Sequence, residues 1–244
     1  MLKGRTAFVT GGTGAVGSAI VRVLTREGAA VAYSYHSNAA KAAELDAQLA
    51  AAGARVRSYP LDVLDGAAAA SLAERIEKDL GPVDILVNNA GITQVLPLAL
   101  IEEADWDRVM DTNVKGTFLV TKAFVRGIIR RRRGAVVNMG SLAGMRVLEV
   151  PVHYATAKSA IVGFTLSLAR EVGRYGIRVN AVVPGMLTAG VSANVPERSQ
   201  EEYKRFCTLS RAGRPEEVAE LVAFLASDRA GYINAQAIFI DGGL

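Results

Sequence analysis

The eight residues "TGGTGAVG" at positions 10–17 decide how the rest of this 244-residue chain is read. They follow the β-branched run "RTAFVT" (5–10) and open a stretch, 16–27, whose apolar spacing is helical. A glycine-rich turn between strand and helix leaves the first helical N–H groups unpaired. Together with the positive end of the helix dipole, these suit a diphosphate. A tight turn with no ligand has the same composition, so the strand before and the helix after are what give the stretch weight. The glycines fall at 11, 12, 14 and 17, and Ala15 stands where a further one is expected.

The same alternation runs through the chain. Strands are predicted at "AAVAYS" (29–34), "ARVRSY" (54–59), "VDILVN" (83–88), "GAVVNM" (134–139), "IRVNAV" (177–182) and "AIFI" (237–240). Helical stretches at 39–52, 67–80, 154–174 and 215–226 lie between them. Several strands are apolar almost throughout, as parallel strands covered on both faces are. Gly28, Gly53, Gly81 and Gly176 each follow a helical run, where a C-cap glycine belongs. The expected fold is α/β: a Rossmann-like, doubly wound, parallel seven-stranded sheet with helices on both faces. With no linker or repeat in view, residues 1–244 read as a single domain.

Composition narrows the class. Half the residues are hydrophobic, yet no apolar run reaches the roughly 18 residues of a membrane span. The N-terminal "MLKGRTAFVTGG" lacks a signal-peptide pattern, and the single cysteine, Cys207, excludes an internal disulfide. Both fit a cytoplasmic protein without membrane contact. A net charge of +4 permits an acidic partner.

Further short segments end the predicted strands: "NNAG" (88–91), "GS" (140–141) and "PG" (184–185), with "YATAK" (154–158) opening a helix. All fall at the C-terminal ends of strands, where open α/β sheets bind ligands. In these segments, with the glycine loop and an asparagine in "DTNVKGTF", the chain resembles the short-chain dehydrogenase/reductase family over essentially its whole length, with the thirteen-residue gap from Ser141 to Tyr154. The resemblance implies a dinucleotide held by Gly11, Thr13, Gly14, Ala15, Val16 and Gly17, by Asp62 and Val63 at the adenine, and by Asn89, Ala90 and Gly91. Pro184, Gly185 and Thr188 follow on the nicotinamide side, with Tyr154 and Lys158. Two positions depart from the family pattern. Ala15 is harmless if it already lies in the first helical turn, though its methyl group points toward the cofactor. Thr188 stands one step early, with Ala189 in the usual place. At the end of the second strand, Tyr35 replaces the acid that would bind a ribose 2′-hydroxyl and repel a 2′-phosphate; His36, Ser37 and Asn38 follow. The cofactor expected is therefore NADPH/NADP+. Asn38 either donates to the phosphate or caps the next helix.

A ketone that accepts hydride gains negative charge on oxygen and needs a proton donor there. Tyr154 fits, but a free phenol titrates near 10. Lys158, one turn on, is expected to lower that value together with the positive oxidised nicotinamide. Ser141 would orient the carbonyl, and by resemblance Asn113 would hold a water that links the lysine to a proton relay. His153 points about 100° away from its neighbour and reads as lining or packing. Cys207 has no nearby partner, and no spacing suggests a metal site.

Residues 186–212 are expected to form a substrate lid, with Met186, Leu187, Val191 and Val195 facing an apolar chain or packing on the protein. The run "IIRRRRG" (128–134) ends a helix in four arginines. Cations there complement the helix dipole. The position also resembles the basic surface by which 3-oxoacyl-[acyl-carrier-protein] reductases dock their carrier, so Arg130, Arg131, Arg132 and Arg133 are candidate docking residues. That subfamily resemblance implies a β-ketoacyl reductase of fatty-acid or polyketide synthesis, with an acyl carrier protein as partner; sugar, steroid and small-alcohol dehydrogenases share the framework. A non-catalytic NADP(H)-binding protein is the competing class. The arginines lack interleaved aromatics for stacking bases, so nucleic acid is not expected. The long apolar helix at 154–174 and the family's habit imply a homotetramer.

Overall fold

Alternation along each strand explains the layers. In β1 (Thr6–Val9), Ala7 and Val9 face one buried cluster and Phe8 faces the other. In β2 (Ala30–Tyr35), Val31, Tyr33 and Tyr35 share the first face and Ala32 the second. A strand apolar on both sides has to be covered on both sides, and it is. The computed structural model describes residues 1–244, apart from the side chains of Ala193 and Asn194.

The other strands are β3 (Val56–Pro60), β4 (Ile85–Asn88), β5 (Gly134–Met139), β6 (Ile177–Pro184) and β7 (Ala237–Ile240). They form one all-parallel sheet in the order β3-β2-β1-β4-β5-β6-β7. The expected seven-stranded fold is therefore present. Helices α1 (Ala15–Arg26), α2 (Ala39–Ala51) and α8 (Pro215–Ala226) supply the first cluster. Helices α3 (Gly66–Leu80), α5 (Gly116–Arg131) and α6 (Val152–Val172) supply the second, where the Phe8 and Phe124 rings stack at 4.5 Å. Two helices stand apart: α4 (Glu103–Met110) and α7 (Glu197–Phe206). A π-helical turn, Asp111–Lys115, joins α4 to α5 and contains Asn113. The four expected C-cap glycines all have positive φ; at Gly176 (φ 73°) an added Cβ would lie 2.9 Å from the Arg132 carbonyl oxygen, so glycine is required there twice over.

A buried polar chain crosses the second face. Asn88 and Asn138, register partners on β4 and β5, are joined by an amide hydrogen bond of 2.8 Å. Asn88 also donates to Thr121 of α5, and Asn138 to Thr165 of α6, each at 2.9 Å. Such a chain fixes how α5 and α6 sit on the sheet, because any shift leaves buried amides unpaired.

Candidate active site

The strand order reverses direction at β1, whose neighbours are β2 and β4. Crossovers leave this point toward opposite sides, so a crevice opens above the C-terminal ends of β1 and β4. The cleft there has a volume of about 700 Å³.

The glycine loop forms its floor. Gly11 adopts φ +66°, and Gly14 is the N-cap of α1, with Ala15 the first helical residue. A Cβ on Gly12 would strike the Tyr33 ring at 2.3 Å, and one on Gly17 would strike the Gly11 carbonyl oxygen at 2.1 Å. The loop is braced from β4: the Asn89 side-chain amide donates to the carbonyls of Thr10 and Gly11, at 2.9 and 3.2 Å. The Thr10 hydroxyl accepts from the backbone N–H groups of Asn89 and Ala90, both at 2.9 Å. Thr10 is a site residue that the sequence reading passed over, although its place directly before the first glycine was a signal. The N–H groups at the start of α1, with no side-chain cap, and the tight glycine cradle suit a dinucleotide diphosphate.

Gly11, Thr13, Gly14, Ala15, Val16 and Gly17 line the cleft, as do His36, Ser37 and Asn38 after β2. Asp62 and Val63 after β3, and Asn89, Ala90 and Gly91 after β4, also line it, followed by Pro184 and Gly185 after β6. Asn38 Oδ1 accepts from the Lys41 N–H at 3.0 Å, so its side chain caps α2.

Two expected cofactor residues are elsewhere. Tyr35 does not line the cleft; the alternation that buries Val31 and Tyr33 turns its ring onto the same apolar cluster. Thr188 is likewise outside the lining, and its N–H donates to the Gly213 carbonyl at 2.8 Å. Leu187, Ala189 and Gly190 line the cleft around it. Gly190 has φ +83°, and a methyl group built on it would stand 3.7 Å from the Ala15 Cβ. The two departures from the family pattern, at 15 and 189, thus lie close together.

At the inner end, Ser141, Tyr154, Lys158 and Asn113 meet. Ser141 lies two residues beyond β5 and caps the short turn Leu142–Gly144, accepting from the Ala143 N–H at 3.2 Å. Lys158 lies one turn after Tyr154 on α6, its Nζ 5.7 Å from the phenol ring centre and donating to the Met139 carbonyl at 2.9 Å. Burial holds the Lys158 ammonium down to about 8. Burial also pushes the Tyr154 phenol up, and a hydrogen bond with Ser141 opposes this more weakly. In the chain by itself, desolvation sets the direction of the phenol shift; the expected lowering joins the Lys158 ammonium to the positive charge of oxidised nicotinamide. The Asn113 amide donates to the carbonyls of Ile92 and Val109, both at 2.9 Å, while its buried Oδ1 has no partner. A Cβ on Gly91 would fall 2.5 Å from that Oδ1 and 3.4 Å from Lys158 Nζ, so both atoms border the same small space. His153 is fully buried and outside the cleft lining, on the packing side of its two readings.

The arginine run ends α5, as expected, at a distance from the cleft. Helix α5 descends from the π-turn beside the cleft to the opposite edge of the sheet, where β5 begins. None of Arg130, Arg131, Arg132 and Arg133 lines the cleft. Arg131 donates to the Val83 carbonyl and pairs with buried Asp84, which Arg133 also approaches at 3.3 Å. Arg132 adopts a left-handed conformation (φ 53°) beyond the helix end and lies over the Tyr175 ring. The four side chains therefore stand away from the mouth of their own cleft. A 16-residue helix lies between, about 24 Å at 1.5 Å per residue. Cys207 is buried, its thiol directed at the carbonyls of Asp241 and Gly242. Among the described residues no cluster suits a metal ion, and no helix is long and apolar enough to cross a membrane.

A glycine-cradled crevice at the switch point, with Ser, Tyr and Lys at its inner end, defines a nicotinamide-dependent oxidoreductase of the doubly wound class. The chain belongs to the short-chain dehydrogenase/reductase family, whose members interconvert CH–OH and C=O groups. The family model described as "Enoyl-(Acyl carrier protein) reductase" matches residues 12–244. The 3-oxoacyl-[acyl-carrier-protein] reductase FabG of Thermotoga maritima is 36% identical across 100% of this chain and 98% of its own length. Nodulation protein G of Rhizobium sp. is 35% identical with the same coverage. A solved structure from Agrobacterium tumefaciens, described provisionally as a gluconate dehydrogenase, superposes with a TM-score of 0.94 at 30% identity, covering 99% of this chain and 96% of that one.

Proposed function

We propose that this chain is an NADPH-dependent ketoreductase that reduces a β-ketoacyl thioester, carried on an acyl carrier protein, to the β-hydroxyacyl form. The observation that carries the reading is the meeting of Ser141, Tyr154 and buried Lys158 at the inner end of a cleft that begins in the glycine loop. Bound nicotinamide would supply hydride to the carbonyl carbon. Tyr154, kept protonated by burial, donates a proton to the carbonyl oxygen, and the Ser141 hydroxyl hydrogen-bonds the same oxygen. Lys158 returns a proton toward the phenol. The unpartnered Asn113 Oδ1 is the acceptor left to steady that relay. Preference for a 2′-phosphate is supported by the lining after β2, where His36, Ser37 and Asn38 stand and no carboxylate does. The carrier-borne substrate is supported by the reductase relatives and by the apolar side chains of Leu148, Met186, Leu187 and Val191 along the cleft.

The test is NADPH oxidation with a carrier-bound β-ketoacyl chain, a small β-ketoacyl thioester and, in reverse, gluconate with NADP+. The carrier-bound chain should give the highest kcat/KM, and NADPH should outrun NADH. Turnover of gluconate alone would replace this reading with that of a sugar dehydrogenase. Tyr154→Phe should lower kcat by about 10²-fold or more while leaving NADPH binding intact. Retention of about a tenth of the wild-type kcat would remove Tyr154 from the proton-donor role.

A further inference from the structure

Helix α6 carries both Tyr154 and Lys158, yet its N-cap position is Pro151, which has no side-chain acceptor. The first turn of a helix needs acceptors for its free N–H groups, and the usual one is a Ser, Thr, Asp or Asn side chain at the N-cap, bonded to the second or third helical residue. The third helical residue here is Tyr154 itself. Its N–H donates at 2.9 Å to Nδ1 of His153, the residue just before it.

The imidazole is completely buried and does not border the cleft. Accepting at Nδ1 places its proton on Nε2, and that buried N–H has no partner. An apolar side chain of similar size would fill the space without an unpaired buried donor, so what the imidazole adds over packing is its Nδ1 acceptor. We propose that His153 is a positioning residue, a substitute N-cap whose Nδ1 fixes the backbone of Tyr154 and so the aim of its phenol. The inference rests on the proton-donor reading of Tyr154 only for its effect on turnover; the cap itself is a local property of α6.

Two variants and two readouts test it. In His153→Leu, which keeps bulk and removes the acceptor, the Tyr154 amide should exchange with solvent about five- to tenfold faster, as loss of about 1 kcal/mol of hydrogen bonding implies. The Lys158 amide, one turn deeper, should be unchanged. On whichever carbonyl substrate the enzyme accepts, kcat should fall by about the same factor and KM for NADPH should hold. His153→Asn places an oxygen near the Nδ1 position and should restore both amide protection and kcat. An unchanged Tyr154 amide in His153→Leu overturns the cap, as does a His153→Asn variant no better than His153→Leu. Should His153→Leu fail to fold, His153→Asn decides: a protected Tyr154 amide supports the cap and an unprotected one overturns it. Because amide exchange needs no turnover, a wrong substrate assignment leaves this test standing.

Discussion

Lys158 sits where a cation is expensive. Burial brings it to about 8 from 10.5, so the folded chain releases its proton more readily than the unfolded chain does. The sign is fixed by that shift: below about pH 8 the folded state carries a buried ammonium at a cost, and stability rises as pH climbs from there toward 10.5. Lys158→Met should therefore raise Tm near neutral pH, by about 2–4 °C for each kcal/mol recovered, while removing most of kcat. A Tm that falls would show that the Nζ bond to Met139 outweighs desolvation. In the wild type, reduction should decline above about pH 8 as the ammonium is lost, and Lys158→Met should lack that limb. The catalytic spacing was readable because Tyr154 and Lys158 need only one helical turn between them. The period of two accounts for the direction of the Tyr35 side chain, which homologous position alone did not give. Residues 31, 33 and 35 share a face, buried at 31 and 33 and partly buried at 35. The fate of Thr188 was not readable at all, since it depends on the approach of Gly213 from a distant segment.

Among the secondary-structure elements, α5 repays the closest look. All seven strands lie within two residues of their expected positions; the inner ones, buried on both sides, leave a continuous apolar signature, and the edge strand β3 keeps only Val56 and Tyr59 of one. Helix α4 and the π-turn that presents Asn113 left no such mark, being short and polar. The four arginines ending α5 looked equivalent in sequence, yet tertiary contacts divide them. Arg131→Ala removes the bond to Val83 and one of two cations from buried Asp84, and should cost about 1–3 kcal/mol of stability. Arg130→Ala should change stability by less than about 0.5 kcal/mol. Equal effects in denaturant titrations would refute the division. The segment after β6 yields a second expectation. Gly190→Ala would force a side chain onto a positive φ beside Ala15, so KM for the cofactor should rise several-fold alongside a fall of a few degrees in Tm, about 2–4 °C per kcal/mol of strain. An unchanged KM would mean that this segment does not close over the glycine loop.

At the level of the assembled chain, Phe118 on α5 and Leu166 and Val152 on α6 remain exposed, each by more than 40%. Covering such side chains favours association, and a homotetramer is the proposed state; light scattering that yields a 25.7 kDa monomer at micromolar concentration would refute it. The strand order has another consequence, one of timing. Of these seven strands β1 leaves the ribosome first, and it pairs with β2 soon after. Its other edge waits for β4, with Val9 matched to Val87 across the whole of β2, β3 and three helices. Until then the nascent chain holds a sheet with its future centre exposed as an edge, apolar on both faces. Chains ending just after Gly81 should accordingly be readily proteolysed and prone to aggregate, and protection should appear only once β4 and β5 have been added. Pulse proteolysis of a truncation series would record the step, and this protein's dependence on chaperones should be greatest in the interval before β5 is complete at residue 139.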